Sequence, residues 1–154
     1  MRKILLFILC LLMTGCFFDK KNDIIVMDNN QDLVIEKSKI TNRATFYNYQ
    51  VDGVIIQLFA VKASDGSIRV LFNTCVSCNP SANAYFIQRG KYFECQNCKN
   101  KYTADEIGLK QTHGCSPIPI LGENKKDDGN KVTISWNFIL KYKNKFKNIK
   151  HYEG

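Results

Sequence analysis

The sequence has only two histidines, His113 and His151. Few residues are therefore available for a site that mixes imidazole and carboxylate ligands, or for a cysteine nucleophile assisted by histidine. His113 lies two residues before Cys115, and we interpret it as a loop residue. This scarcity argues against an enzyme with a site of either kind.

The sequence also lacks an apolar run long enough to remain in a bilayer as a helix, since its longest run covers residues 4–13. Two basic residues precede that run, and small residues lead into Cys16, which is the order of a secretory signal. Residues 12–16, LMTGC, resemble a bacterial lipobox. The resemblance implies a signal peptide over residues 1–15 and lipidation of Cys16, as in a lipoprotein of the cell envelope. The anchor would hold the chain on the outer face of the cytoplasmic membrane or in the outer membrane.

The rest of the composition is ordinary for one folded domain, with 45% apolar and 23% charged residues. We predict a lipid-anchored tether over residues 16–40, a cysteine-rich metal-binding β domain over 41–141 and a basic tail over 142–154. The net charge is +8, with many of its lysines in that tail. An exported protein rarely meets nucleic acid, so we expect none as a partner.

The apolar pattern predicts a mainly β fold, a small antiparallel β domain with two cysteine knuckles. Apolar residues alternate over 45–51, 54–60 and 68–72, with Asp-Gly turns between these runs. This is a three-strand meander with one face buried and one wet, and it ends at Cys75. A second hairpin, around Arg89-Gly90, ends at Cys95.

Three further elements are predicted beyond the second cysteine pair. Thr103 and Glu106 have capping-box spacing and Gly108 follows, so we expect one turn of helix there. Two prolines after Cys115 predict an extended loop. Apolar residues alternate again over 132–140, which predicts a last strand.

Five cysteines form the candidate site, in the pattern C-x2-C-x16-C-x2-C-x16-C. A C-x2-C turn aims two sulfurs at one ion while backbone N–H groups stabilise the thiolates. Two such turns fit either tetrahedral Zn²⁺ or an all-cysteine iron-sulfur cluster, and the spacing does not choose between them. The odd count of five argues against complete pairing into disulfides. The candidate metal ligands are Cys75, Cys78, Cys95, Cys98 and Cys115, where the first four form the ligand set and Cys115 is a fifth ligand, an exchangeable ligand or a thiol beside the centre.

The segment 46–120 resembles the FtrD-like membrane iron-sulfur family. The resemblance is carried by Phe46-Tyr47 with Val51-Asp52-Gly53, Phe59-Ala60-Val61, Asp65-Gly66, Cys75-Val76-Ser77-Cys78, Tyr85, Cys95-Gln96-Asn97-Cys98, Ile107-Gly108 and Gly114-Cys115-Ser116-Pro117-Ile118-Pro119. It implies an iron-sulfur cluster, electron transfer linked to ferrous-iron uptake, and iron-transport or redox proteins as partners. Many family members carry additional transmembrane helices, and none is predicted here after the signal.

The Gly-Cys-x-Pro-x-Pro loop is also similar, more loosely, to the second cluster-binding loop of Rieske proteins, which implies that the small antiparallel β domain is Rieske-like; zinc-ribbon-like is the alternative. Here Cys78 and Cys98 stand where Rieske proteins have histidines. Replacing imidazole by thiolate adds negative charge and should lower the reduction potential of a cluster.

Two other functions fit the same cysteines. One is a zinc-ribbon-like structural or binding module, whose stability would depend on the metal. The other is a thiol-disulfide redox protein with Cys115 as the resolving thiol. No predicted helix directly follows either C-x2-C pair, unlike in thioredoxin-type sites, so we rank this function last.

Overall fold

A computed structural model describes residues 21–110 and 114–154. The signal peptide, Cys10, Cys16 and His113 lie outside the described residues. The fold is mainly β, as predicted, and consists of three packed sheets.

The central sheet has five strands in the order β1-β3-β4-β5-β9. Its strands are β1 (Asp23–Met27), β3 (Thr45–Val51), β4 (Val54–Lys62), β5 (Ile68–Cys75) and β9 (Pro117–Pro119). The predicted meander β3-β4-β5 is confirmed and is antiparallel, while β1 pairs with β3 in parallel.

Both faces of the central sheet are covered, so the expectation of one wet face is wrong. All eight residues of β5 are buried, and so are six of the nine in β4. The side chains of β4 that point to one face of the sheet are apolar, such as Ile56 and Leu58, and those that point to the other face include the apolar Phe59 and Val61. Each of these two sets packs against a different layer.

One face is covered by what we call the cysteine layer, built on the sheet β6-β7-β8. Its strands are β6 (Phe86–Arg89), β7 (Tyr92–Cys95) and β8 (Lys101–Thr103). The predicted hairpin β6-β7 is confirmed. Phe93 lies fully buried and stacks on Phe59 of the central sheet, with ring centroids 5.0 Å apart.

The other face is covered by what we call the helix layer. It consists of β2 (Leu33–Glu36), β10 (Lys126–Asp127), β11 (Lys131–Ile134) and the short helix α1 (Trp136–Leu140). The predicted strand over residues 132–140 is therefore wrong in its second half. Ser135 caps the helix, because its side chain accepts a hydrogen bond from the N–H of Phe138. The apolar residues over 132–140 alternate as in a strand, but this cap starts a helix at Trp136.

Residues 23–36, placed in the predicted tether, contribute β1 and β2 to the folded part of the chain. Leu33 and Ile35 are at most 1% exposed, because β2 pairs with β11 and places them in the core of the helix layer. The apolar pattern did not predict β2, because the strand is short and only two of its side chains face inward.

The predicted basic tail is also packed against the fold. Phe146 is buried in the helix layer, while Ile149 and Tyr152 pack in the cysteine layer. The main chain of this segment passes the first cysteine loop, where the N–H of Lys150 donates to the carbonyl of Ala82. Most lysines of this C-terminal segment are exposed, but its aromatic residues hold its backbone in place on the fold.

No helix is found at Thr103, so that prediction is wrong. Residues 104–106 form a turn in which the N–H and hydroxyl of Thr103 donate to Glu106 Oε2, over 2.7 and 2.8 Å. The capping-box contact therefore forms without the helix. Gly108 follows with φ of +73°, in the left-handed region, directly against the side chain of Arg69.

Candidate metal centre

The structure brings all five predicted cysteines together. One sulfur atom from each lies within 4.8 Å of every other, so the five form a single group. They come from three separate loops, which the strand pairings hold at one end of the molecule.

The first cysteine pair follows the end of β5. Cys75 is the last residue of that strand and is fully buried, while Cys78 is half-buried in the turn that follows. The turn closes when the N–H of Asn79 donates to the carbonyl of Cys75 over 3.1 Å. The side chain of Asn79 then donates to Thr74 Oγ1 and to the carbonyl of Lys145, which ties the loop to the C-terminal segment.

The second pair repeats this arrangement at the end of β7. Cys95 is fully buried, and the N–H of Lys99 donates to its carbonyl over 2.9 Å. Lys99 has φ of +66°, a left-handed conformation that lets the chain turn back after Cys98. Cys98 itself is exposed, so one edge of the sulfur group faces solvent.

Cys115 is delivered by the strand that follows it. Pro117 of β9 pairs with Cys75, and the N–H of Val76 donates to the carbonyl of Ser116. Cys115 Sγ then lies 3.1 Å from Cys75 Sγ and 3.4 Å from Cys78 Sγ, and it forms a disulfide with Cys98. The Cα atoms of Cys98 and Cys115 are 7.4 Å apart, beyond the usual disulfide range of roughly 4.4–6.8 Å. That backbone separation suits two thiolates on a common centre.

The two buried cysteines differ in how easily they ionise. The pKa of Cys95 is lowered to about 5, first because the thiol of Cys75 donates a hydrogen bond to its sulfur. The N–H groups of Cys98 and Asn97 contribute to this lowering, while burial acts in the opposite direction. The pKa of Cys75 is raised, first by the same hydrogen bond and then by burial. Cys95 is therefore the thiolate that is available first, and binding of a cation would favour ionisation of its neighbours.

The donor set fits a metal centre made of thiolates. Four sulfurs around one tetrahedral ion, with bonds of about 2.3 Å, lie about 3.8 Å from one another. The Cys95–Cys78 distance of 3.9 Å is of this size. A polynuclear cluster places its thiolates farther apart, because several irons and sulfides lie between them, so its binding requires the three loops to separate.

Two buried amides hold the cysteine loops in position, and the sequence analysis did not find them. Asn73 is 1% exposed, and its amide donates to Gln57 Oε1 over 2.7 Å and to the carbonyl of Phe86 over 3.1 Å, while Phe86 N–H donates to Asn73 Oδ1 over 2.8 Å. Gln57, also 1% exposed, binds the main chain of Tyr152 in both directions. The sequence feature that could have revealed them is a polar residue inside a mostly apolar strand. Gln57 is such a residue in β4, and Asn73 is one in β5, two residues before Cys75.

The two C-x2-C loops also contact each other directly. The hydroxyl of Ser81 donates to Asn97 Oδ1 over 2.7 Å. Since Ser81 follows the first pair and Asn97 lies inside the second, this bond sets the distance between them. His151 is not part of the sulfur group, and its Nε2 lies 3.8 Å from Glu153.

Comparison with known proteins identifies the family. Residues 39–146, more than half of the chain, match the family described as "Membrane iron-sulfur containing protein FtrD-like". No curated protein and no solved structure matches the chain. In the described part of the chain, no helix is both long and apolar enough to cross a membrane. The chain belongs to the FtrD-like family of membrane iron-sulfur proteins.

Proposed function

We propose that this protein is an exported, lipid-anchored electron carrier whose cysteines hold an iron-sulfur cluster, and that it serves ferrous-iron uptake. The observation that carries the proposal is the group of five sulfurs within 4.8 Å of one another. Family membership supports iron and sulfide as the bound group. The anchor is the lipid on Cys16, and the partners are iron-transport or redox proteins of the cell envelope.

Four thiolates complete such a centre, so five cysteines leave one in excess. Cys75, Cys78 and Cys95 are free thiols, whereas Cys98 and Cys115 are bonded to each other. We assign the first three as permanent ligands. Reduction of the Cys98–Cys115 disulfide by a two-electron thiol reductant would release two thiolates, which then compete for the fourth position because their sulfurs occupy the same corner of the group.

The arrangement suits electron transfer. When bound, the cluster supplies a one-electron centre whose charge the protein must balance. An all-thiolate ligand set is negatively charged and favours a low reduction potential, and backbone N–H groups near Cys95 moderate that charge. The buried Cys75 and Cys95 shield one side, while the exposed Cys98 leaves a short path to a partner.

The second candidate is a zinc-binding structural module. It is favoured by the sulfur separations, since the Cys95–Cys78 distance of 3.9 Å matches a single tetrahedral ion. In that case the metal would join the two cysteine loops, and function would lie in surface contacts.

An absorption spectrum with iron, zinc and sulfide analysis decides between the two. The full chain would be purified from membranes in detergent without oxygen. We expect a brown protein with iron and acid-labile sulfide. Cys78→Ser should lose most of the bound iron, whereas Ser77→Ala, a neighbouring exposed residue in the same loop, should retain it.

The ligand assignment is tested in the same preparation. Cys98→Ser and Cys115→Ser should each keep a substantial part of the iron, and the double variant should lose it. Stoichiometric zinc in a colourless protein would overturn the electron-transfer proposal. Full loss of iron in either single variant would overturn the shared fourth position. Intact mass of the chain tests the lipid on Cys16 separately.

A further inference from the structure

A cleft of about 660 Å³ opens between the central sheet and the cysteine layer. We call it the basic cleft, because Arg43, Lys62 and Lys91 line it, with Asp105 as the only carboxylate among its lining residues. Ser64 and Gln88 contribute polar groups between these charges. The lining carries three cations against one anion, so it attracts negatively charged ligands.

The cations of the basic cleft keep their charge for a ligand, since Arg43 Nε donates only to a carbonyl, that of Lys21, and Lys91 Nζ lies 5.2 Å from the ring centroid of Tyr92. Asp105 is already engaged, since its Oδ1 accepts the N–H of Ser64 over 2.7 Å. Among the described residues, no carboxylate forms an ion pair with Arg43, Lys62 or Lys91. Gln88 holds one wall in place by binding the main chain at Ala44 and Asn42.

The strand register places the basic cleft far from the cysteines. Lys62 pairs with Ile68 at the start of β5, and Cys75 ends that strand. Seven residues of extended chain separate these positions, which is about 23 Å. The cleft and the metal centre therefore lie toward opposite ends of the central sheet.

The chain enters the fold at the same end as the basic cleft. Arg43 Nε donates to the carbonyl of Lys21 over 3.3 Å, and Asp23 pairs with Thr45 in the first register position of β1 and β3. Only five residues lie between Cys16 and Asn22. Even fully extended, that length of chain reaches roughly 20 Å. A lipid on Cys16 would thus hold this end of the protein close to the membrane surface.

We propose that the basic cleft binds the phosphate of an anionic phospholipid headgroup, which turns the cysteine centre away from the membrane. This inference rests on the proposed lipid anchor, and it does not depend on which metal the cysteines hold. The phosphate would be bound by the guanidinium of Arg43 and the ammonium groups of Lys62 and Lys91. The same chemistry would admit a free phosphate ester, so the test separates these two sources.

Lysine acetylation of the full chain, read by peptide mass spectrometry, tests the proposal. The protein would be reconstituted into vesicles of phosphatidylglycerol or of phosphatidylcholine. We expect Lys62 and Lys91 to react at least about fivefold more slowly in phosphatidylglycerol. Lys145 and Lys147 are exposed and lie beside the cysteine loops, so they serve as internal controls that should react equally in both.

Matched variants test the contribution of charge. Lys62→Gln should remove the protection of Lys91, whereas Lys145→Gln should leave it unchanged. Added salt should weaken the protection, because it screens the exposed charges. In detergent without phospholipid, millimolar glycerol phosphate should give little protection, and full protection there would identify a free phosphate ester as the ligand instead.

Two other results would overturn the proposal. Equal labelling of Lys62 and Lys91 in both kinds of vesicle would exclude a headgroup site in the basic cleft. Selective protection of Lys145 and Lys147 would place the cysteine end on the membrane. A chain whose intact mass lacks the lipid would count against the proposed anchor, which is a separate failure.

Discussion

The helix layer and the cysteine layer cover the same central sheet, but different interactions hold them to it. The helix layer packs through aromatic rings, as where Phe72 stacks on Tyr142 with centroids 4.1 Å apart. The cysteine layer is also packed on rings such as Phe93, but its loops depend on the amides of Asn73 and Gln57 and contain the five cysteines. The comparison indicates that the helix layer is held by apolar packing, whereas the cysteine layer is organised around the five cysteines.

The largest effect is expected from a change on the face of the central sheet that packs against the helix layer. Phe72→Ala should lower the free energy of unfolding by about 3–5 kcal/mol, because it removes a buried ring in contact with Phe138, Tyr142 and Phe146. Chemical denaturation measures the change. The control is Val26→Ala at a position that is 78% exposed, and equal effects of the two would contradict this account of the layer.

A smaller effect is expected from the amide that joins the central sheet to the cysteine layer. Asn73→Ala should lower the free energy of unfolding by about 2–3 kcal/mol, because it leaves the buried N–H and carbonyl of Phe86 without their side-chain partner and removes one of the hydrogen bonds to Gln57 Oε1. It should also weaken metal retention, since Asn73 positions β6 beside the cysteine loops.

Metal content after dialysis against a chelator, together with denaturation, checks both parts of this prediction. Asn29→Ala removes an amide hydrogen bond to the carbonyl of Gln50 at an exposed site and is the matched control. A variant at Asn73 that is destabilised but retains metal as the parent does would show that the amide supports only the fold.

The smallest expected effect is a difference in amide hydrogen exchange between the two layers, and its measurement needs no mutation. Removal of the metal should speed amide hydrogen exchange in β6 and β7 by about tenfold, because the loops at their ends lose their common ligand. Exchange in β2 and β11 should change little, since these strands lie on the other side of the central sheet. Equal acceleration in both layers would mean that the metal stabilises the whole fold.

Local signals in the sequence were reliable where a turn and an alternating run occurred together. The Asp-Gly pairs predicted both turns of the meander, and Gly53 and Gly66 adopt the positive φ that such turns require. The strand predicted over residues 132–140 was partly wrong, because a helix begins after Ser135. The Ser135 side chain caps this helix by accepting a hydrogen bond from the N–H of Phe138. Short apolar runs are ambiguous between strand and helix, and packing decides between them.

The sequence by itself determined the mainly β fold, the two C-x2-C turns and the family, because these depend on residue type and short-range spacing. Only the tertiary structure decided that Cys115 joins the other four sulfurs, since pairing of β9 with β5 brings it across from a distant part of the chain. The same holds for the burial of Leu33 and Ile35 and for the basic cleft, whose cations come from three separate segments. Contacts between segments far apart in sequence depend on the packing of whole sheets, which no local pattern specifies.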